Sequence, residues 1–218
     1  MIAILSARIP CDTDAEKLQA CAKECFPHEG NLKYIAKLCE GKSTEGVKES
    51  LFALVTLHRA TALIPGIIDT SRLILARTDS GKPYFKDSEI SFSISHSRGW
   101  VVCAVAEGEE VGVDIEASAP APEKAIKLAR RFFTDRDIAL VEAEPSIFSR
   151  IWSEKESESK FYGKELSIML KEQKSHQNNQ DFDKIAPKPQ IHRFGCDNYP
   201  ISLCTKRNDS TIIFVSEQ

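Results

Sequence analysis

Val111, Val113 and Ile115 alternate with Gly112, Asp114 and Glu116, and a period of two marks a strand with one buried face. On such a strand Asp114 and Glu116 point the same way, about 7 Å apart at ~3.3 Å per residue, on the face left to water. Alternating or continuous apolar runs at 90–95 and 100–106 predict two more strands. The links Ser97-Arg98-Gly99 and Gly108-Glu109-Glu110 are short and contain glycine, which predicts an antiparallel meander of all three. His96 then falls at the first turn, near where Glu116 leaves the sheet. Residues 1–8 and 73–76 also read as strands, and 191–194, 201–205 and 211–215 as three closing ones.

Helical spacing alternates with these runs. Residues 14–25 and 31–39 read as short helices, separated by Pro27 and Gly30 and closed by Gly41. Residues 45–63 form the longest helix of the first half, with Leu51, Leu54, Val55 and Ala62 as its apolar stripe and Pro65-Gly66 as its stop. A turn at 79–83 holds Lys82 and Pro83. Residues 117–122 make a stiff Pro-rich connector. A helix follows at 123–133, and Thr134 caps another through 143. The strongest helical pattern is 145–162: Pro145 suits its first turn, Ile147, Phe148, Ile151 and Trp152 its apolar side, and Gly163 the position after its end. From 171 to 189 the chain is polar, with Asn178-Asn179-Gln180, and reads as a mobile loop.

The chain has 218 residues, 42% apolar and 28% charged, which predicts a soluble globular protein of one large or two small domains. A net charge of −3 argues against a protein built chiefly for nucleic acid. The seven cysteines form no CxxC pair and no zinc spacing, as expected of a reducing cytosol. No apolar run approaches the ~20 residues of a membrane helix, and the first eight residues are too short for a signal peptide. The expectation is a cytoplasmic monomer.

Several side chains admit a bland and a sharp reading. Asp114 and Glu116 are either acids on a wet strand face or ligands of one hard divalent cation. Glu156 and Lys160, one turn apart on a helix, are either an i,i+4 pair or an acid aimed at a metal and a lysine aimed at a phosphate. Lys82 by itself is a solvated loop lysine, and Arg59 a surface charge, an ion-pair partner or a phosphate contact. Lys124, Lys127, Arg130 and Arg131 form either a solvated helix face or a surface for an acidic partner.

Three motifs stand in order: Gly81-Lys82-Pro83 followed by Phe92-Ser93-Ile94-Ser95-His96-Ser97; Gly112-Val113-Asp114-Ile115-Glu116; and Trp152-Ser153-Glu154-Lys155-Glu156-Ser157-Glu158-Ser159-Lys160. Together they resemble the Sfp-type 4′-phosphopantetheinyl transferases, from about residue 71 to 166. The resemblance implies an α/β (α+β) fold of two similar lobes related by a pseudo-twofold, each a small antiparallel sheet with packed helices. The lobes would be 1–106 and 107–218, with the metal site at their interface. It also implies a magnesium enzyme that moves the phosphopantetheine arm of coenzyme A onto a serine of an apo acyl or peptidyl carrier protein, releasing adenosine 3′,5′-bisphosphate.

Carried over residue by residue, the resemblance assigns Asp114, Glu116 and Glu156 to Mg²⁺. His96 and Lys160 fall to the diphosphate, with Ser95 beside them, and Lys82 with Pro83 to the 3′-phosphate end of coenzyme A. Glu156, Lys160 and His96 are the catalytic candidates, Glu156 as base directly or through a metal-bound water. The family usually has a basic residue at the start of the helix 45–63. Lys48 stands near that place, and Arg59 lies further along the helix. Two other readings share these residues: a non-catalytic relative that binds coenzyme A or a carrier protein, and a metal-dependent nucleotide phosphohydrolase.

Overall fold

The computed structural model describes residues 1–67, 69–176, 189–207 and 209–217. A mixed α/β fold is built around two small sheets. Strands β1 (Ile2–Arg8), β4 (Ile90–Ser97), β5 (Trp100–Glu107) and β9 (Ile212–Glu217) form the first sheet, in the order β4-β5-β1-β9. Strands β6 (Val111–Ile115), β7 (Gln190–Cys196) and β8 (Tyr199–Thr205) form the second, in the order β6-β8-β7. The strands β2 (Ile74–Arg77) and β3 (Pro83–Lys86) make a separate hairpin around the expected turn. All pairs are antiparallel except β1 with β9, where Ile2 lies beside Ile212. Pairing therefore crosses the lobe boundary expected at residue 106, since β9 completes the first sheet.

Helices cover the outer faces. On the first sheet, α1 (Ala15–Cys25) and α3 (Thr44–Thr61) bury Leu18, Leu51, Leu54 and Leu57 with Phe92 and Val101, while α2 (Glu29–Cys39) adds Ile35. The opposite face of that sheet meets the second sheet in a core of Ile2, Ile4, Trp100, Val102, Val113 and Leu203. Beyond the second sheet lie α4 (Pro122–Phe132), α5 (Asp135–Ala143), α6 (Phe148–Tyr162) and α7 (Leu166–His176). Phe133, Phe148, Ile151 and Leu170 fill the third core among them.

Where the fold departs from the pattern of the sequence, the reason is visible. The meander stops after one hairpin, because β4 and β1 occupy both edges of β5 and leave β6 none. That hairpin turns on Arg98 and Gly99, both at positive φ, as a two-residue hairpin loop requires. Strand β4 therefore runs through Ser97, and His96 belongs to the strand rather than the turn. β6 is buried on both faces, so Asp114 is not on a wet face: it is 2% exposed. α2 begins at Glu29 and takes in Gly30, which had looked like a break. Ala62 ends α3 as an exposed cap instead of joining its stripe. β3, only four residues long, carries too little pattern to be read in advance. α7 continues through the polar residues 171–176, where a loop was expected. The remainder of that loop, 177–188, lies outside the described residues. A single 3-10 turn, Pro145–Ile147, precedes α6.

Candidate active site

Helix α6 lies unusually close to β6, and Gly112 is the reason. A Cβ at this position would stand 2.1 Å from the Ser157 carbonyl oxygen and 2.4 Å from the Phe161 nitrogen. Small serines on the facing side of the helix add to the fit. Ser153 Oγ donates to the Asp114 carbonyl at 3.2 Å, and Ser149 Oγ to the Ser118 carbonyl at 2.8 Å. Gly163, left-handed at φ +62°, ends the helix. So docked, α6 aims Glu156 and Lys160 at the acid of the neighbouring strand.

There Asp114 Oδ1 accepts from Ser95 Oγ at 2.6 Å and from Lys160 Nζ at 2.7 Å. Lys160 Nζ also lies 3.9 Å from Glu156 Oε2. Trp152, packed on Phe148, donates its indole N–H to Glu156 Oε1 at 2.7 Å and fixes that carboxyl. Burial raises the Glu156 pKa to about 7, and the Asp114 charge adds to the rise against the opposing pull of Lys160 and the Trp152 bond. Two carboxylates thus converge from a strand and a helix, with a lysine ammonium between them.

Among the described residues, no group of three or more His, Cys, Asp or Glu side chains stands in a metal-holding arrangement. Glu116, the third expected ligand, is turned aside: its Oε1 accepts from the Ser118 N–H and hydroxyl, with Ser97 Oγ at 3.5 Å. The crowded pair Asp114–Glu156 still fits a hard cation. Mg²⁺ commonly takes one or two carboxylates, keeps several waters and completes its shell with substrate phosphate oxygens.

The remaining expected residues are spread more widely. His96 is half-exposed, with Nδ1 3.2 Å from Glu49 Oε2. Burial lowers its pKa; Glu49 opposes the shift, while the charges of Lys160 and Lys42 reinforce it. Lys82 is no solvated loop lysine. Its Nζ bonds Glu110 Oε2 at 2.7 Å and the Phe161 carbonyl at 3.1 Å, and its side chain is 16% exposed. Pro83 starts β3 opposite Arg77. Arg59 pairs with Glu217 of β9, and ten residues of α3 put it about 15 Å along the helix from Glu49. Lys48 is half-buried on α3.

The structure also brings in residues that the sequence reading passed over. Lys42 stands just ahead of Ser43, the N-cap of α3, with Nζ 2.6 Å from Ser50 Oγ. Glu49 faces His96 from the same helix. Only the fold joins them to the cluster, although a basic residue before a capping serine was a signal open to the sequence reading.

Residues 110–207 match the model of the 4′-phosphopantetheinyl transferase superfamily. Through this segment, a little under half of the chain, the protein is similar to that superfamily. A 4′-phosphopantetheinyl transferase of Bacillus subtilis is 33% identical to this chain over 132 residues, covering 58% of this chain and 57% of the other. The 4′-phosphopantetheinyl transferase gsp of Aneurinibacillus migulanus is 36% identical over 108 residues, 47% of this chain and 44% of its own. The 4′-phosphopantetheinyl transferase Sfp of Bacillus subtilis strain 168 is 34% identical over 109 residues, 47% of each. The chain spans about half the length of the curated relatives it matches. The superfamily match includes Asp114, Glu116, Glu156 and Lys160, while Lys82, Ser95 and His96 lie ahead of it.

Proposed function

We propose that this protein transfers the 4′-phosphopantetheine arm of coenzyme A to a serine of an apo acyl or peptidyl carrier protein. The observation that carries this reading is the convergence of Asp114, Glu156, Lys160 and Ser95 from three distant stretches of chain, within a chain similar to 4′-phosphopantetheinyl transferases. The serine oxygen attacks the β-phosphorus of the coenzyme A diphosphate, and the bond to the bridging oxygen breaks. Adenosine 3′,5′-bisphosphate leaves.

Asp114 and Glu156 would hold Mg²⁺, with Glu116 able to join by turning from Ser118. Bound there, the ion supplies charge neutralisation at the reacting phosphoryl group. Lys160, at the centre of the cluster, donates charge-assisted hydrogen bonds to the diphosphate as its charge grows. His96, its pKa lowered by burial, acts as a neutral donor from the Glu49 side of β4. Glu156, with proton affinity near neutrality and one oxygen held by Trp152, accepts the serine proton directly or through a water. Lys42, on the His96 side, and Lys48, within α3, are the basic residues we assign to the 3′-phosphate. Lys82 and Pro83 would approach the same end of the ligand, once Lys82 exchanges Glu110 for phosphate.

The exposed cations Lys124 and Lys127 on α4 suit an acidic carrier surface. Arg130 is bound to Glu142, and Arg131 lies over the Phe132 ring. We assign the protein to the cytoplasm as a monomer; among the described residues no helix is long and apolar enough to cross a membrane. Incubation with apo carrier protein, coenzyme A and Mg²⁺ should raise the carrier mass by roughly 340 Da, the mass of the arm, with the metal required. Release of adenosine bisphosphate without a carrier would mark a phosphohydrolase instead, and coenzyme A binding without turnover a non-catalytic relative.

A further inference from the structure

Strand β4 carries serine at every second position, Ser91, Ser93, Ser95 and Ser97. Phe92 faces the helix-side core, so alternation sends the serines the other way. Their hydroxyls meet successive groups of the segment that bears the acids. Ser91 Oγ donates to the Glu109 carbonyl, and Ser93 Oγ accepts the Val113 N–H at 3.0 Å. Ser95 Oγ donates to Asp114 Oδ1 at 2.6 Å, and Ser97 Oγ accepts the Ala117 N–H at 3.1 Å while facing Glu116. The order of these contacts shows the two strands running in the same direction.

β4 and β6 are each the edge of a sheet, and no main-chain ladder joins them. The Glu116 N–H goes to the Pro200 carbonyl across β8, so the odd-numbered amides of β6 point to its free edge. A free, buried edge N–H needs an acceptor. Here side-chain hydroxyls supply it, at Val113 within β6 and at Ala117 just beyond its end, the two amides that flank Asp114 and Glu116.

We propose that Ser93 and Ser97 are positioning residues, which fix the acid strand against the first sheet and so set where Asp114 and Glu116 stand relative to Glu156 and Lys160. The ladder replaces main-chain pairing between the two sheets. Serine suits the task because one hydroxyl can accept from an amide at one rung and donate to a carboxylate at the next. Alanine at either position would leave a buried N–H without an acceptor and let the strand shift. The assignment of a cation to Asp114 and Glu156 belongs to the proposed function, and the role of the two serines in that chemistry rests on it.

The test uses the full chain carrying Ser93→Ala, Ser97→Ala or both, with Ser93→Thr as the variant that keeps the hydroxyl. Amide exchange by NMR should show Val113 deprotected in Ser93→Ala and Ala117 in Ser97→Ala, with the amides paired between β1 and β5 unchanged. Titration with Mn²⁺ alone should give a dissociation constant raised about fivefold per serine and about twentyfold in the double variant. Transfer should lose kcat by similar factors, with the KM for coenzyme A within twofold of the parent. Ser93→Thr should recover most of both. The inference is overturned if the two amides stay protected, if they open while Mn²⁺ affinity and kcat hold, or if every amide of the protein loses protection together. A parent protein that transfers nothing to any carrier would sink the proposed function instead, and the exchange and Mn²⁺ readings would still decide the role of the serines.

Discussion

Gly112→Ala is the smallest change that should reach the candidate active site without touching any of its polar groups. The added methyl would sit 2.1 Å from the Ser157 carbonyl oxygen, 2.4 Å from the Phe161 nitrogen and 2.9 Å from its Cα. All three are backbone atoms of α6, so no side-chain rotation relieves the clash. The helix must retreat by about 1 Å to restore ordinary contact, and overpacking of this kind costs typically ~1–3 kcal/mol. Retreat also stretches the bond from Ser153 to the Asp114 carbonyl and draws Lys160 and Glu156 away from Asp114. A displacement near 1 Å at a reacting centre can cost ~100-fold in rate. We expect Gly112→Ala to unfold at lower urea with an unchanged m-value, and to retain about a hundredth of the transfer rate. Urea unfolding followed by far-UV circular dichroism, and a carrier-labelling assay on the same preparation, measure the two halves. Stability within 0.5 kcal/mol of the parent, together with full activity, would refute the argument that this glycine sets the helix-to-strand distance.

Asp114→Ala should abolish transfer and also cost stability, about 1–3 kcal/mol, because Ser95 and Lys160 lose a buried acceptor; intact stability by urea titration would contradict the burial argument. The Glu156 carboxyl binds its proton more tightly in the folded chain, with a pKa raised to about 7, than in the unfolded one. In EDTA its contribution should therefore be greatest at low pH and should decline as pH rises from about 4.5 to 7. Glu156→Gln should flatten that decline in unfolding curves taken at pH 5 and pH 7.5, and an unchanged slope would count against it. Lys124→Glu with Lys127→Glu should raise the KM for the carrier several-fold, less so at high salt, and leave the KM for coenzyme A alone. An unchanged carrier KM would move the docking surface off α4.

The elements with strong periodicity were legible from the chain: β1, α3, the β4–β5 hairpin, α4 to α6 and the three late strands lie where their patterns put them. Partnership between strands was not. β6 resembles the third strand of a meander because its connection from β5 is short, yet competition for the edges of β5 decides the matter, and no local window contains β1. The site was legible as residue types and spacing, in Asp114, Glu156 and Lys160. Its electrostatics were not. Burial of Asp114 depends on α6 covering the face that looked wet, and the turn of Glu116 toward Ser118 depends on the path of the connector. Lys42 and Glu49 come to His96 only because α3 crosses the first sheet with its start near the end of β4.

The parallel pairing of β1 with β9 has a consequence for how the chain reaches this state. Ile2 and Ile212 are neighbours in the finished sheet, so the first sheet cannot be completed until the chain has been made through residue 212. During synthesis, β1 can pair with β5 but keeps one long edge of unsatisfied amides and carbonyls, the kind of edge that recruits other chains. Closing a loop that spans both halves is also entropically slow. The two halves are thus bound to one another by the order in which their sheets can be finished, and Asp114, Glu156 and Lys160 stand beside an assembly whose last strand arrives late.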